Sequence, residues 1–191
     1  MKKLGSILLL LCVWILPVSI FLAFSHSEQA TPLEGSVVTS DGFLSDSQNT
    51  VEVVFFGYAE CAFICPTSVS KLADVIYSIK EDDPEVKLGG YFLDVNAASQ
   101  LNRAHQYSQF FSPDIVGVNL NKQELNQLKR DFGIQVKDNL AKDGEINHTD
   151  HFYVLTELNK NWSIHKVISN DVSTEKLQQI LTEIISNRSI K

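Results

Sequence analysis

Cysteine is scarce in this sequence, with 3 in 191 residues, and so is positive charge, with 16 Lys and Arg against 23 Asp and Glu. Each shortage removes a class of protein. A domain of about 140–150 residues buries an adequate core without covalent staples. The cysteines are therefore not needed as scaffolding, and their presence points to chemistry. With Lys2 and Lys3 set aside, 14 of the 16 basic residues face all 23 acidic ones. That balance lacks the basic patch of a nucleic-acid binder. No internal repeat is present, which excludes solenoids and propellers.

Charge of either sign is missing between Gly5 and Phe24, directly after Met1-Lys2-Lys3. As a helix this run would be roughly 30 Å long and would span a bilayer. The lysines before it predict a cytoplasmic N-terminus and export of the rest to the periplasm or an equivalent compartment. Residues 1–24 are thus expected to form an N-terminal membrane anchor, with Cys12 as a lipid-facing residue. A cleaved signal peptide is the alternative, since Ala23-Phe24-Ser25 offers a small-x-small site. Residues 25–49 are rich in Ser, Thr, Glu, Gly and Asp and read as a polar tether, with one short edge strand at Gly35–Thr39. Residues 50–191 then form the folded domain.

Within that domain, Val51 to Tyr58 is a continuous apolar, β-branched and aromatic run, the pattern of a buried central strand. A helix is expected from Pro66, with Val69, Leu72, Ala73, Ile76 and Ile79 at helical spacing and Asp82-Asp83-Pro84 as its stop. Val86 to Leu93 reads as a second strand, Ser99 to Phe111 as a helix and Ile115 to Val118 as a third strand. Asn121 and Glu124 form a capping-box pair before the buried face Leu125, Leu128 and Phe132, and Gly133 stops that helix. Lys137 to Asn147 is polar and reads as a loop. A hairpin follows, Phe152–Leu155 and Trp162–Ile168, then a helix opened by Ser173 with the stripe Leu177, Ile180, Leu181 and Ile184. The alternation of strand and helix predicts an α/β fold, a mixed and mostly parallel sheet flanked by helices. Sites on such sheets lie beyond the carboxyl ends of the strands.

One segment there carries reactive residues: Phe55-Phe-Gly-Tyr-Ala-Glu-Cys61-Ala-Phe-Ile-Cys65-Pro66. Pro is favoured at a first helical position and the residue before it avoids helical angles, so Cys65 is expected at the N-cap and Cys61 in the preceding loop. The free N–H groups and partial positive charge of a helix start favour thiolate, the form that attacks disulfides and binds soft metals. A four-residue helical step puts Cα atoms about 6 Å apart, within disulfide reach. A plain loop-closing disulfide is the bland alternative. Two thiolates alone hold Cu(I), and a histidine would add a donor that also suits Cu(II). Of the five histidines, His26 lies in the tether, His105 mid-helix and His165 on a strand surface. His148 and His151 flank Asp150 at the start of a late strand, where alternation turns them to opposite faces, so one of the two is expected to face the cysteines.

These residues also carry a resemblance. Phe55-Phe-Gly-Tyr58 followed by Cys61-x-x-x-Cys65-Pro-Thr is similar to the cysteine signature of the Sco/SenC family of copper-binding, thioredoxin-like proteins. Phe92-Leu-Asp94, Phe111 to Gly117 and Leu128 to Gly133 resemble further family segments, with Val95 standing where the family has Pro. Asn147-His148-Thr149 followed by Tyr153 fits the family's ligand-histidine segment in spacing, with Asn147 in place of its Asp; a carboxylate there would orient the ring better than an amide. The resemblance implies a thioredoxin-like fold and copper, as Cu(I) or Cu(II), bound by Cys61, Cys65 and His148, with His151 the alternate. It implies a membrane-tethered chaperone that helps assemble the copper centre of a respiratory cytochrome oxidase. Its partner would be a copper-accepting oxidase subunit or another exported thiol protein. The dithiol would cycle between reduced and disulfide forms. The competing reading is a thiol–disulfide oxidoreductase that needs only Cys61 and Cys65.

Overall fold

The computed structural model of the chain describes residues 33–39, 41–62, 64–138 and 146–189. The membrane anchor expected at residues 1–24, and the tether up to residue 32, lie outside the described residues. Among the described residues no helix is long and apolar enough to cross a membrane.

Two strands with no polar alternation form the centre. β1 (Val51–Gly57) and β2 (Leu88–Asp94) are buried at every position, because both faces of the sheet are covered there. With β3 (Ile115–Asn119), β6 (Phe152–Leu158) and β7 (Asn161–Ile168) they make a five-stranded sheet of order β3-β2-β1-β6-β7. β1, β2 and β3 run parallel, in a register that sets Phe55 beside Phe92. β6 is antiparallel to β1 and to β7. The sheet is mixed, as expected, because helical crossovers link its first three strands and a hairpin supplies the last two.

α1 (Ile64–Asp82) covers one face. Its stripe Val69, Leu72, Val75 and Ile76 is buried to 1% exposure or less, and each such side chain contributes about 1.5–3 kcal/mol. A methyl group on Gly90 of β2 would come 3.1 Å from Ile76 and 3.3 Å from Leu72, so helix and sheet are in close contact. α2 (Arg103–Phe111) lies beside α1 on this face, with Tyr107 against Phe92. α4 (Thr174–Ser189) flanks α1 through Leu177 and Leu181, both fully buried. On the opposite face Phe56, Phe132 and Tyr153 meet edge to face at 5.1–5.6 Å. Phe132 ends α3 (Lys122–Asp131), whose expected capping box is present: Asn121 Oδ1 accepts from Gln123 and Glu124 N–H, and Glu124 Oε2 accepts from Asn121 N–H. Gly133 follows at φ +60°, a left-handed stop.

Four expectations need correction. α1 begins at Ile64, not Pro66, so Cys65 lies inside its first turn. α2 begins at Arg103 rather than Ser99, after Asn102 at φ 65°. The stretch expected to be a loop from Lys137 to Asn147 contributes to a two-stranded ladder of β4 (Val136–Asp138) and β5 (Ile146–His148). Finally, residues 33–49 are no free tether: Val38 and Leu44 are 2% and 3% exposed. Gly35 and Val38 N–H donate to Ile164 and Trp162 carbonyls of β7. Thr39 bonds to the Asp131 carboxylate, Glu34 accepts from Val167 N–H, and Phe43 packs 5.2 Å from Tyr91. This segment straps down the edge and second face of the sheet.

Candidate metal centre

Sheet geometry aims the cysteine loop. β1 ends at Gly57, whose carbonyl accepts from Val95 N–H at 2.8 Å, tying the ends of β1 and β2 together. The chain then turns through Tyr58, whose carbonyl accepts from Cys61 N–H at 3.0 Å, and enters α1. Cys65 is fully buried and Cys61 partly so; neither forms a disulfide. A methyl group on Gly57 would come 3.0 Å from Cys65 Sγ and 2.7 Å from Phe92, so only a glycine leaves the sulfur its place.

β5 brings the nitrogen donor. His148 pairs with Val136 across the small ladder, and its Nε2 lies 3.8 Å from Cys65 Sγ. Its Nδ1 lies 3.0 Å from the Thr149 carbonyl oxygen. A carbonyl only accepts, so Nδ1 carries the proton and Nε2 presents a lone pair toward the sulfur. The Thr149 carbonyl thus orients the ring as a carboxylate at position 147 would. Phe55 and Tyr58 wall the imidazole edge-on at 6.5 and 5.9 Å.

His151 is placed differently. Its Nδ1 is 3.8 Å from Asp150 Oδ1 and its ring 6.5 Å from Tyr153. His105 and His165 are exposed; His26 and Cys12 lie outside the described residues. The structure therefore brings Cys65 and His148 together, with Cys61 in contact with Cys65. Among the described residues no three His, Cys, Asp or Glu side chains are already gathered as a metal cluster. The donors present are two sulfurs and one imidazole nitrogen, a soft set that suits copper over magnesium or calcium.

Electrostatics revise one expectation. Burial pushes the Cys65 thiol far above its ordinary range; a bond from the Tyr58 backbone opposes this, while the Cys61 thiol and the Asp94 charge reinforce it. Desolvation outweighs the helix N-terminus that was expected to favour thiolate at this position. The site holds a thiol until something positive replaces its proton.

Two residues near the centre were not singled out as functional by sequence. Asp94, fully buried at the end of β2, accepts from Asn96 N–H at 2.9 Å and from Asn119 Nδ2 at 3.5 Å. Burial raises its pKa, backbone N–H groups of Asn96 and Ala59 oppose the rise, and the Glu60 charge adds to it. Its position after an apolar strand was the available signal. Tyr107 on α2 stacks on Phe92 and Phe111; burial, then the Cys65 and Cys61 charges, push its hydroxyl pKa up. In sequence it is one more aromatic on a helix face.

The SCO1/SenC family model matches residues 22–186. The chain is 24% identical over 127 residues to Protein SCO1 homolog 1, mitochondrial, of Arabidopsis thaliana, covering 63% of this chain and 38% of that protein. It is 27% identical over 109 residues to Protein SCO2 homolog, mitochondrial, of Danio rerio, covering 56% and 39%. The matches thus span about two fifths of the length of these curated relatives. Among solved structures, Arabidopsis thaliana ScoI with copper bound aligns with a TM-score of 0.68 at 21% identity, over 81% of this chain and 99% of that one. Yeast Sco1 with copper bound aligns at 0.59 and 17% identity, over 70% and 75%. At these identities the structural likeness establishes the fold.

Proposed function

The chain belongs to the SCO1/SenC family, and from that premise we propose that it binds copper through Cys61, Cys65 and His148 and passes it to a respiratory cytochrome oxidase during assembly. One observation carries the reading: the bare Nε2 of His148 stands 3.8 Å from Cys65 Sγ, held by its Nδ1 bond to the Thr149 carbonyl. A histidine fixed in that tautomer against a buried sulfur is a poor core residue and a good donor pair. Solved relatives of the same fold from Arabidopsis and yeast are described as copper-bound. Bound copper would supply the positive charge that a buried thiolate pair requires. The chain's own groups do the rest. Cys65 would give up its proton on binding, His148 would offer Nε2, and the Phe55 and Tyr58 rings would cover one side of the centre.

The run from Gly5 to Phe24 would hold the domain at a membrane on its non-cytosolic side. The partner would be a copper-accepting oxidase subunit.

Titration of the full chain in detergent with Cu(I) and with Cu(II) tests this. One equivalent should bind, and His148→Ala should weaken binding sharply while His151→Ala leaves it unchanged. No binding, or indifference to His148→Ala, would overturn the three-donor proposal. A second reading, thiol–disulfide exchange with an exported partner, is favoured by the contact between Cys61 and Cys65. It requires exchange activity that survives His148→Ala and is lost in Cys61→Ser.

A further inference from the structure

The β4–β5 ladder breaks off at the pair of Val136 and His148. Gln135 and Thr149 come next in the same register. In an antiparallel ladder such a pair, where it is hydrogen-bonded, exchanges two backbone bonds. One of the two is made: Thr149 N–H donates to the Gln135 carbonyl at 3.1 Å. The return bond is diverted. Gln135 N–H donates to Thr149 Oγ1, also at 3.1 Å, where a regular ladder would use the Thr149 carbonyl. That carbonyl is the oxygen 3.0 Å from His148 Nδ1. Thr149 thus serves two neighbours with two oxygens, and its side chain stands in for its own backbone.

Valine has the same branched shape and suits an extended segment as well as threonine does. What valine lacks is the acceptor. With no hydroxyl at this position, the Gln135 N–H would turn back to the carbonyl and compete with His148 for it. Which ring nitrogen of a histidine carries the proton is set by the hydrogen bond the other makes. Deprived of its carbonyl, the ring would shift its proton through solvent from Nδ1 to Nε2, and an N–H would then face Cys65 in place of a lone pair. We infer that Thr149 is a positioning residue of the candidate centre: its hydroxyl takes over the ladder bond of its own carbonyl and so reserves that carbonyl for the His148 ring. Thr149 acts only through His148. The inference rests on the copper reading above, because that reading makes Nε2 a donor.

The test compares Thr149→Val, Thr149→Ala and Thr149→Ser in the full chain in detergent. The first readout needs no metal: nitrogen–proton correlation spectra of the His148 ring at a pH where imidazoles are neutral. The native chain and Thr149→Ser, which keeps the hydroxyl, should carry the proton on Nδ1. Thr149→Val and Thr149→Ala should carry it partly or wholly on Nε2. The second readout is Cu(I) affinity against a competing chelator. It should fall by roughly tenfold to hundredfold in Thr149→Val and Thr149→Ala, as for loss of an outer-sphere partner, and return in Thr149→Ser. Thr149→Ala adds no bulk and carries the test if Thr149→Val does not fold. A hydroxyl that only steadies the ladder gives a lower unfolding midpoint with ring proton and affinity unchanged, and that result overturns the inference. Thr149→Ser behaving like Thr149→Ala overturns it too. A native chain that takes up no copper while the ring proton still follows the hydroxyl overturns the copper reading and upholds the hold of Thr149 on His148.

Discussion

Two carboxylates are buried in adjacent strands at opposite ends of the sheet, Glu52 near the start of β1 and Asp94 at the end of β2. Burial raises both pKa values. Their surroundings differ. Asp94 is gripped by N–H groups of the loops around the cysteines, so it fixes the frame of the candidate centre. Glu52 takes both its bonds on Oε1, from Ser47 Oγ at 2.5 Å and Asn49 Nδ2 at 2.9 Å, and leaves Oε2 unpaired. It staples the 33–49 strap to the sheet. Each end also has a glycine whose replacement would force its neighbours to shift, Gly57 under Cys65 and Gly89 under Glu52. The same device lies under the candidate centre at one end and under the strap at the other.

If the ends are separable, changes at the carboxyl end should alter metal binding with little effect on stability, and changes at the amino end the reverse. His148→Ala gives the largest effect: copper affinity should drop by more than the roughly tenfold to hundredfold of an outer-sphere change, with the urea midpoint nearly unmoved because the imidazole is only partly buried. Calorimetric titration and urea unfolding on one preparation measure both. Gly89→Ala is the mirror test. The added methyl would fall 2.3 Å from Asn49 Nδ2 and 2.6 Å from Glu52 Oε2, which should cost about 1–3 kcal/mol of stability while copper affinity holds. A comparable loss of affinity in Gly89→Ala would break the comparison.

Smaller effects sharpen it. Asn121→Ala removes the α3 capping box and should cost about 1 kcal/mol, with binding unchanged. Glu52→Gln should change a slope. Desolvation raises the Glu52 pKa, opposed by bonds from Ser47 and Asn49 and by the Lys80 charge; Tyr91 also faces it, and Lys80 is held by Asp114. The folded state therefore keeps this proton after the unfolded chain has released it. The stability contributed is full below the ordinary pKa of 4.5 and is lost as pH rises through the higher folded value. Urea midpoints followed upward from pH 4.5 should fall less steeply in Glu52→Gln than in the native chain, and equal slopes would remove Glu52 from this role.

The carboxyl end was the more legible in sequence. Val51 to Gly57 declares a central strand by lacking alternation, Cys61 and Cys65 stand out by residue type, and Asn121 and Glu124 name their own cap by spacing. The strap was not legible, because its bonds are remote: Thr39 reaches Asp131 and Glu34 reaches Val167 across 92 and 133 positions. The β4–β5 ladder escaped because each strand has three residues, too few to show a period. The thiol state of Cys65 escaped because desolvation is a property of the packed protein, whereas a helix start can be read from Pro66.

His148 rides on that short ladder, outside the five-stranded sheet that anchors the sulfurs. A three-pair ribbon of this kind is only marginally stable by itself. The centre is thus built like a pair of callipers with one fixed jaw and one sprung jaw. On the copper reading proposed above, withdrawing the nitrogen would cost a few ladder bonds and leave the core whole, so cargo gripped by three donors would be surrendered from two.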